Sequence, residues 1–420
     1  MTSQTFDVTV VGAGAAGLMT AIMASRAGLE TLLVDGRQKV GAKILMSGGT
    51  RCNVTNRTVT ENDFETETRH AVRSVLQAYS ADQAVEFFKE LGVTLLLEPN
   101  GKYFPSTNSA QTVLDALLRE VERSGVKLRT GCKVTQLAFR DGHFEVSGEG
   151  FAFESRSVVL ATGGLSFPTT GSDGTGYRLA ASMGHTQVPT SASLTPLVTD
   201  DADWKGLSGV TLPVELTFWE EGKKQKSFEG SFLFTHFGFS GPVALDISRF
   251  WIRSSEAKKR KITANFLPSL TEQKFREMLL AETKRDPAQS IKNLLTAFLP
   301  ERVADVCLSK LGADPRTELN QISRQNRETL IRSLFNFELR VTGDRGYEKA
   351  EVTAGGVPLT EIDKATMQSK LQPGLFFAGE ITDVDGRIGG FNFQWAWSSG
   401  VVASRGLARY LGTEKKKTLA

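Results

Sequence analysis

The residues from Phe6 to Asp35 constrain the fold more than any other part of the chain. Phe6–Val11 is a short apolar run with β-branched residues, the composition of a strand buried on both faces. It leads directly into Gly12-Ala13-Gly14-Ala15-Ala16-Gly17, and then into an Ala-, Met- and Leu-rich stretch of helical periodicity that stops at Gly28. Thr31–Val34 is a second apolar run, closed by Asp35. Strand, glycine turn, helix, strand and acid, in that order and spacing, describe a dinucleotide-binding βαβ unit.

Each position has a physical task. Gly12 permits the tight turn, Gly14 lets backbone approach a pyrophosphate, and Gly17 lets helix and strand pack closely. The helix N-terminus, with Ala15 and Ala16, supplies N–H groups and a positive dipole end for phosphates. Asp35 can accept hydrogen bonds from ribose hydroxyls. FAD and NAD make the same demands, so this stretch does not choose between them.

Composition sets wider bounds. A chain of 420 residues exceeds one simple core, which predicts two or three domains. Hydrophobic content of 40% and charged content of 23% fit a soluble globular protein, and no apolar run is long enough to span a bilayer. The first strand begins almost at the N-terminus, leaving no room for a signal peptide. Cys52, Cys132 and Cys307 are scattered thiols without metal-ligand spacing, as expected in a reducing cytoplasm. The formal charge of +3 is mild, but Arg249, Arg253, Lys258, Lys259, Arg260 and Lys261 stand close together, with Glu256 alone among them. That run reads either as a solvated loop or as an electrostatic footprint for a phosphate-bearing partner, and Lys415–Lys417 as a frayed tail.

Gly41 to Asn53 reads as a loop of small residues with flanking Lys43 and Arg51, able to lie flat against a ligand. Ala81–Leu91 and Ser109–Arg123 carry amphipathic helical patterns, with Ser80 and Asn108 as N-caps. Val126–Arg129, Lys133–Phe139, His143–Val146 and Phe151–Phe153 read as short strands, with Asp141-Gly142 a hairpin turn. Ser157 to Gly164 is a buried strand ending Ala161-Thr162-Gly163-Gly164, and a strand with this ending lies beside FAD in flavoproteins of the two-dinucleotide-binding type. From Ser191 the pattern turns β-rich, as in a small barrel or sandwich, and Thr271 to about Leu334 is helical. The boundaries expected are a nucleotide-binding domain over 1–190 and 355–420, a β-rich insert over 191–270 and 335–354, and a helical subdomain over 271–334. Toward the end, a glycine-rich loop from Asp383 to Asn392 opens a closing helix, Phe393–Leu411, whose N-terminus suits the edge of a flavin that gains negative charge on reduction.

Together the motifs carry a resemblance. The chain is similar to the BaiN/RdsA-type flavoproteins, also called aminoacetone-oxidase-like FAD-binding enzymes. The matching stretches are GAGAAG at Gly12–Gly17, KILMSGGTRCNVTN at Lys43–Asn56, ATGGLSFP at Ala161–Pro168, LFTHFGFSGP at Leu233–Pro242, VTAGGV at Val352–Val357, and the long run Thr366–Gly400. They fall in order over nearly the whole length. One departure is Thr50, where the family usually has a third glycine; another is Thr175, where many members have Asp. The resemblance implies an α/β, Rossmann-like FAD domain built from both ends of the chain, with a β-barrel-like insert that carries a small helical subdomain. It implies FAD contacts at Gly12, Gly14, Ala15, Ala16, Gly17, Asp35, Lys43, Ser47, Gly48, Arg51, Cys52 and Asn53. Val134 would meet the adenine through its backbone. Ala161, Thr162, Gly163, Gly379, Glu380, Asp385, Gly389, Gly390, Asn392 and Gln394 would complete the set.

Reactions within the family diverge: dihydrouridine synthesis in large-subunit ribosomal RNA, reduction of enone-type bonds in bile-acid intermediates, and oxidation of aminoacetone. The first two share a demand, hydride addition at the far carbon of a carbonyl-conjugated C=C bond and protonation of the near one. NAD(P)H would reload the flavin. The basic run and the absence of an obvious sterol lining favour RNA; a flavin-bound assembly factor without turnover is the alternative of a different class. Cys52, beside Arg51, is the expected proton donor through a lowered thiol pKa, with His236 as alternative. Phe237, Phe239 and Phe391 are candidates to stack on the flavin or a base.

Overall fold

The computed structural model describes residues 5–254 and 259–413. Glu256 and Lys258 of the basic run, and the Lys415–Lys417 tail, lie outside the described residues. The chain forms two compact units. One runs to Ala192 and resumes at Glu351; the other is Ser193–Ala350.

The first unit is organised by a seven-stranded mixed sheet. Lys127–Arg129, Thr31–Val34, Thr5–Val11 and Phe151–Leu160 lie side by side and parallel, with Val10 opposite both Leu33 and Val159. The expected strands at Phe151–Phe153 and from Ser157 are one strand of 10 residues with two kinds of neighbour. Its first half pairs antiparallel with His143–Gly148, and its last residues pair parallel with Leu375–Phe377. That last pairing ties the C-terminal part of the sequence to the first strand. Gln136–Arg140 completes the sheet across the Asp141-Gly142 turn, where both residues take positive φ as the hairpin requires.

Val8, Val10, Leu33, Val159 and Phe376 are fully buried, each such side chain contributing about 1.5–3 kcal/mol. The Ala15–Arg26 helix meets the closing helix, Phe391–Tyr410, through a small-residue contact. A Cβ on Gly400 would come within 3.0 Å of Ala16 O. Ser80 is the expected N-cap and forms a capping box with Gln83. At the next helix the cap is Ser109, while Asn108 takes a left-handed turn at φ 53°. The sequence pattern did not reveal the Arg69–Ala78 helix, which buries Ala71, Val72, Val75 and Leu76, or a small sheet of Thr55–Asn56, Lys102–Pro105 and Leu95–Leu97. The strand expected at Ala350–Thr353 is Val352–Gly356, fully buried, and it pairs with Val188–Ser193. A Cβ at Gly355 would meet Pro189 O at 2.4 Å, so that pairing depends on the bare glycine backbone.

The second unit holds a seven-stranded sheet with the order Phe337–Leu339, Arg260–Asn265, Thr211–Glu220, Lys223–Thr235, Gly238–Ser240, Leu197–Val198 and Gly343–Asp344. Its strands pair antiparallel, and the order has two ends where a barrel was expected. The Pro242–Arg253 helix packs on the sheet over a core that includes Trp204, Phe232, Phe234 and Phe266. Glu272–Arg285, Ile291–Leu295, Glu301–Lys310 and Arg324–Phe335 supply the expected helices. Among the described residues no helix is long and apolar enough to cross a membrane, and no acid, His and Cys cluster could hold a metal.

Candidate cofactor site

The glycine turn has the geometry its sequence demands. Gly12 takes φ +102°, and a Cβ there would stand 2.5 Å from Ala161 O. One on Gly17 would stand 1.7 Å from Gly12 O, which no side chain survives. Gly14 differs: a Cβ there meets nothing within 4 Å, so the helix start opens on free space. No side chain caps that helix and its first turn holds no acid, leaving a positive dipole end toward the opening. Asp35 accepts hydrogen bonds from Ala13 N at 2.7 Å and Arg37 N at 2.8 Å, which fixes its carboxylate at the tip of the second strand. Val134 is buried, with Lys133 beside it paired to Asp173 at 2.6 Å.

Ala42 to Thr50, expected as a loop, begins as a helix. Ala42, Lys43, Ile44, Leu45 and Met46 are good helix formers, and the kink comes at Ser47, Gly48 and Gly49. Gly48, Gly49, Thr50 and Cys52 all take positive φ. Thr50 at φ 70° therefore occupies a conformation suited to glycine, the residue usual in the resembled family. Arg51 does not touch the Cys52 thiol in the expected way. Its guanidinium lies 3.8 Å over the Phe104 ring and donates to Glu98 at 2.8 Å. Cys52 is fully buried, and burial pushes its thiol up to about 12, against a smaller lowering by Ser47. The lowered thiol expected of this residue is not what the structure holds.

A polar hub joins four of the sequence motifs. Lys43 Nζ donates to Glu380 Oε2 at 2.6 Å and to Ser166 Oγ at 2.7 Å. Ser166 Oγ and Thr353 N donate to Glu380 Oε1, and Leu165 N and Ser166 N to Thr353 Oγ1. Lys43 is thus held by a carboxylate inside the protein. Ser166 and Thr353 were not among the expected site residues, although both lie inside the family's motifs.

Gly389 and Gly390 lead into the closing helix. Gly390 caps it at φ 91°, and a Cβ there would meet Thr55 O at 2.7 Å and Asn53 Oδ1 at 2.8 Å. Asn56 donates to Gly389 O at 3.0 Å. Asn392 spends its side chain on both backbone groups of Gly386, at 2.8 Å each. Gln394 is fully buried and bonded to Thr55, Tyr79 and Ser398, so its side chain builds the core and not a ligand wall. Gly379 N is held by Ser399 Oγ at 2.9 Å, and Asp385 is buried in a two-residue strand paired with Phe64–Glu65.

Glu351, also absent from the expected set, stands immediately before the VTAGGV strand, two residues ahead of Thr353. It is exposed to solvent, and against the upward push of the surrounding protein Lys102 acts on its carboxylate through space. Lys102 is the strand partner of Asn56. Of the stacking candidates, Phe391 and Phe239 are core: Phe391 packs edge-on to Phe64, and Phe239 stacks on Phe232. Phe237 is half-buried under Arg345, and His236 is exposed beside it.

A bound dinucleotide fits these residues on independent grounds. Asn53 Oδ1 and Thr162 Oγ1 are buried without a protein partner, in the loop after Gly48 and at the end of the central strand. Asn53 Oδ1 stands beside Gly390 at the start of the closing helix, whereas Thr162 Oγ1 packs against Gly176, so Asn53 and the space at Gly14 are the features that suit a ligand.

Residues 6–406 match the family described as HI0933-like protein Rossmann domain. The chain is 35% identical to a ribosomal RNA dihydrouridine synthase of Escherichia coli, over 94% of this chain and 96% of that protein. It is 30% identical to a 3-dehydro-bile acid delta(4,6)-reductase of Clostridium scindens, over 95% of this chain and 98% of that one. Among solved structures, a quinol-fumarate reductase with menaquinol molecules aligns with TM-score 0.51 at 16% identity, covering 100% of this chain and 73% of its own, which bears on the fold alone.

Proposed function

The chain belongs to the HI0933-like family of Rossmann-fold, FAD-dependent oxidoreductases, and from that premise we propose that it reduces a conjugated C=C bond, with uridine of large-subunit rRNA as substrate and NAD(P)H as reductant. The single observation behind this substrate is the near-full-length similarity to a protein named for that activity. Bound FAD would supply hydride transfer to the substrate.

The chain's own residues have separable tasks. Asp35 would hold the adenosine ribose, the uncapped helix start at Ala15 would hold the pyrophosphate, and Asn53 Oδ1 would accept a hydrogen bond from the cofactor. The Glu380 hub fixes the four motif segments relative to one another. The N-terminus of the closing helix favours negative charge where it faces the flavin.

We assign the proton to Glu351 and not to Cys52. A thiol pushed up to about 12 and sealed from solvent gives up its proton slowly. Glu351 stands two residues before Thr353 of the Glu380 hub, its side chain is exposed so that water can reload it, and it feels Lys102, the strand partner of Asn56, which holds Gly389. Glu351 would deliver its proton to the carbon next to the carbonyl as hydride adds at the far carbon. The carboxylate then recovers a proton from solvent, and NAD(P)H restores the electron pair.

A second reading, reduction of a small enone, draws on the similarity to the bile acid reductase. Mass mapping of uridine derivatives in rRNA from a strain lacking this gene tests the first. A dihydrouridine that vanishes supports it, and an unchanged dihydrouridine content sinks it.

A further inference from the structure

The basic run that the sequence left open is divided by the fold. Arg249 and Arg253 stand on the last turns of the Pro242–Arg253 helix, and Lys259 and Lys261 at the start of the Arg260–Asn265 strand. Register brings a third group beside them. Trp219, on the strand between, is directly opposite Lys261 on one side and Lys224 on the other, while Glu220 is opposite Lys223. Cations from three separate segments therefore collect at one end of the sheet.

Aromatic rings are interleaved with them. Trp219 is half-exposed, its indole N–H anchored on Thr263 Oγ1 at 2.9 Å. On the opposite face Lys226 Nζ lies 5.6 Å from the Phe228 ring and 5.4 Å from that of Phe250. Arg260 belongs to the scaffold. It donates to Trp251 O and Ser254 O and stacks on Trp251, which caps the helix C-terminus.

The acids here keep their charge, Glu220 accepting from Ser254 and Glu221 from Lys259 N, but the cations of the three segments outnumber them. Lys224–Glu215 at 3.6 Å and Lys261–Glu338 at 3.5 Å are surface pairs, worth little and easily exchanged for phosphate. Lysines often protect a sheet edge from aggregation. That role accounts in part for Lys223, Lys224 and Lys226, whose stretch pairs with Thr211–Glu220 while Gly238–Ser240 pairs only with Leu233–Thr235, but it does not account for a half-exposed Trp219 between two lysines.

We propose that this end of the second unit, centred on Trp219 with Lys223, Lys224 and Lys261, binds unpaired RNA flanking the target nucleotide. Lysines would take phosphates and the indole would stack on a base, the chemistry of single-strand recognition. The proposal rests on the rRNA reading of the function.

The test uses the FAD-loaded full chain and a large-subunit rRNA fragment, with binding followed by fluorescence anisotropy across a salt series. The combined Lys223→Ala, Lys224→Ala, Lys261→Ala variant should flatten the plot of log affinity against log salt by about 2, at about 0.7 for each single-strand phosphate that is no longer neutralised. Trp219→Leu should weaken binding roughly tenfold at an unchanged slope, as removal of base stacking does. Both should keep wild-type reduction of the flavin by NAD(P)H, which shows that they fold, and Lys→Arg replacements should restore the slope. An unchanged slope and affinity in variants whose wild type modifies the RNA overturns the surface alone. Equal weakening toward heparin and duplex DNA makes it a general polyanion patch and also overturns the proposal. A wild type that reduces small enones but neither binds nor modifies RNA overturns the rRNA reading, and the surface with it.

Discussion

Two glycine-rich stretches serve the same cofactor unit and teach opposite lessons. At Gly12–Gly17 the glycines answer to local backbone physics: one allows a turn, one leaves space, and one admits a close approach that a Cβ would block at 1.7 Å. At Ser47–Asn53 the glycines kink a helix already begun, and Thr50 and Cys52 share their left-handed backbone at φ 70° and 61°. The first stretch stores no strain. The second holds a β-branched residue and a sealed thiol in unfavourable conformations, and only its surroundings keep it there.

The largest expected effect breaks the first stretch. Gly17→Ala should abolish FAD binding or soluble folding, because the added Cβ would overlap Gly12 O; FAD co-purification and thermal unfolding read it out. A folded, FAD-saturated Gly17→Ala protein would mean that the turn has another geometry. If Glu351 is the proton donor proposed above, Glu351→Gln should slow reoxidation of the reduced enzyme by substrate about 10²–10⁴-fold and leave reduction by NAD(P)H unchanged. Cys52→Ala, in the second stretch, should keep both half-reactions near wild type. The reverse pattern in stopped-flow traces would return the proton to the thiol.

Between these lies a pH effect outside both stretches. His185 is buried, hydrogen-bonded to Glu361 at 2.8 Å and Ser369 at 2.7 Å, and burial lowers its pKa more than Glu361 raises it. The folded state therefore binds this proton less readily than the unfolded chain. Its contribution is present above the unfolded value of about 6.5 and is lost as pH falls through the lower folded value. Tm should drop on acidification below neutrality, and His185→Gln should remove part of that dependence. A dependence unaltered by the substitution would locate it elsewhere. The smallest effect sharpens the comparison: Thr50→Gly should relieve the left-handed backbone and stabilise by about 0.5–1 kcal/mol, once the added chain entropy is subtracted. Denaturant titration gives the sign, and a destabilised variant would show that the threonine hydroxyl or methyl group is needed where it stands.

What the sequence disclosed follows the same division. The βαβ unit, the Ser80 cap and the Asp141-Gly142 turn were legible because short-range chemistry specifies them. The joined strand Phe151–Leu160 was not, since its two halves differ only in their distant partners, His143–Gly148 and Leu375–Phe377. Nor was the helix hidden in Ala42–Thr50, where Ser47, Gly48, Gly49 and Thr50 depart from helical φ/ψ. At the site, the glycines and Asp35 stand where their motif implies. Gln394 and Phe391 had the right motif but turn into the core. Ser166 and Thr353 left no local signal, because the Glu380 hub that uses them is assembled from segments far apart in sequence.

The central claim is tested most directly by one anaerobic turnover of the FAD-loaded chain, reduced by NAD(P)H and mixed with unmodified large-subunit rRNA. Flavin colour should return at a rate that depends on RNA concentration, with a matching uridine gaining a hydrogen pair by mass. Flavin that stays reduced with RNA, yet is promptly oxidised by a steroid enone, would contradict it.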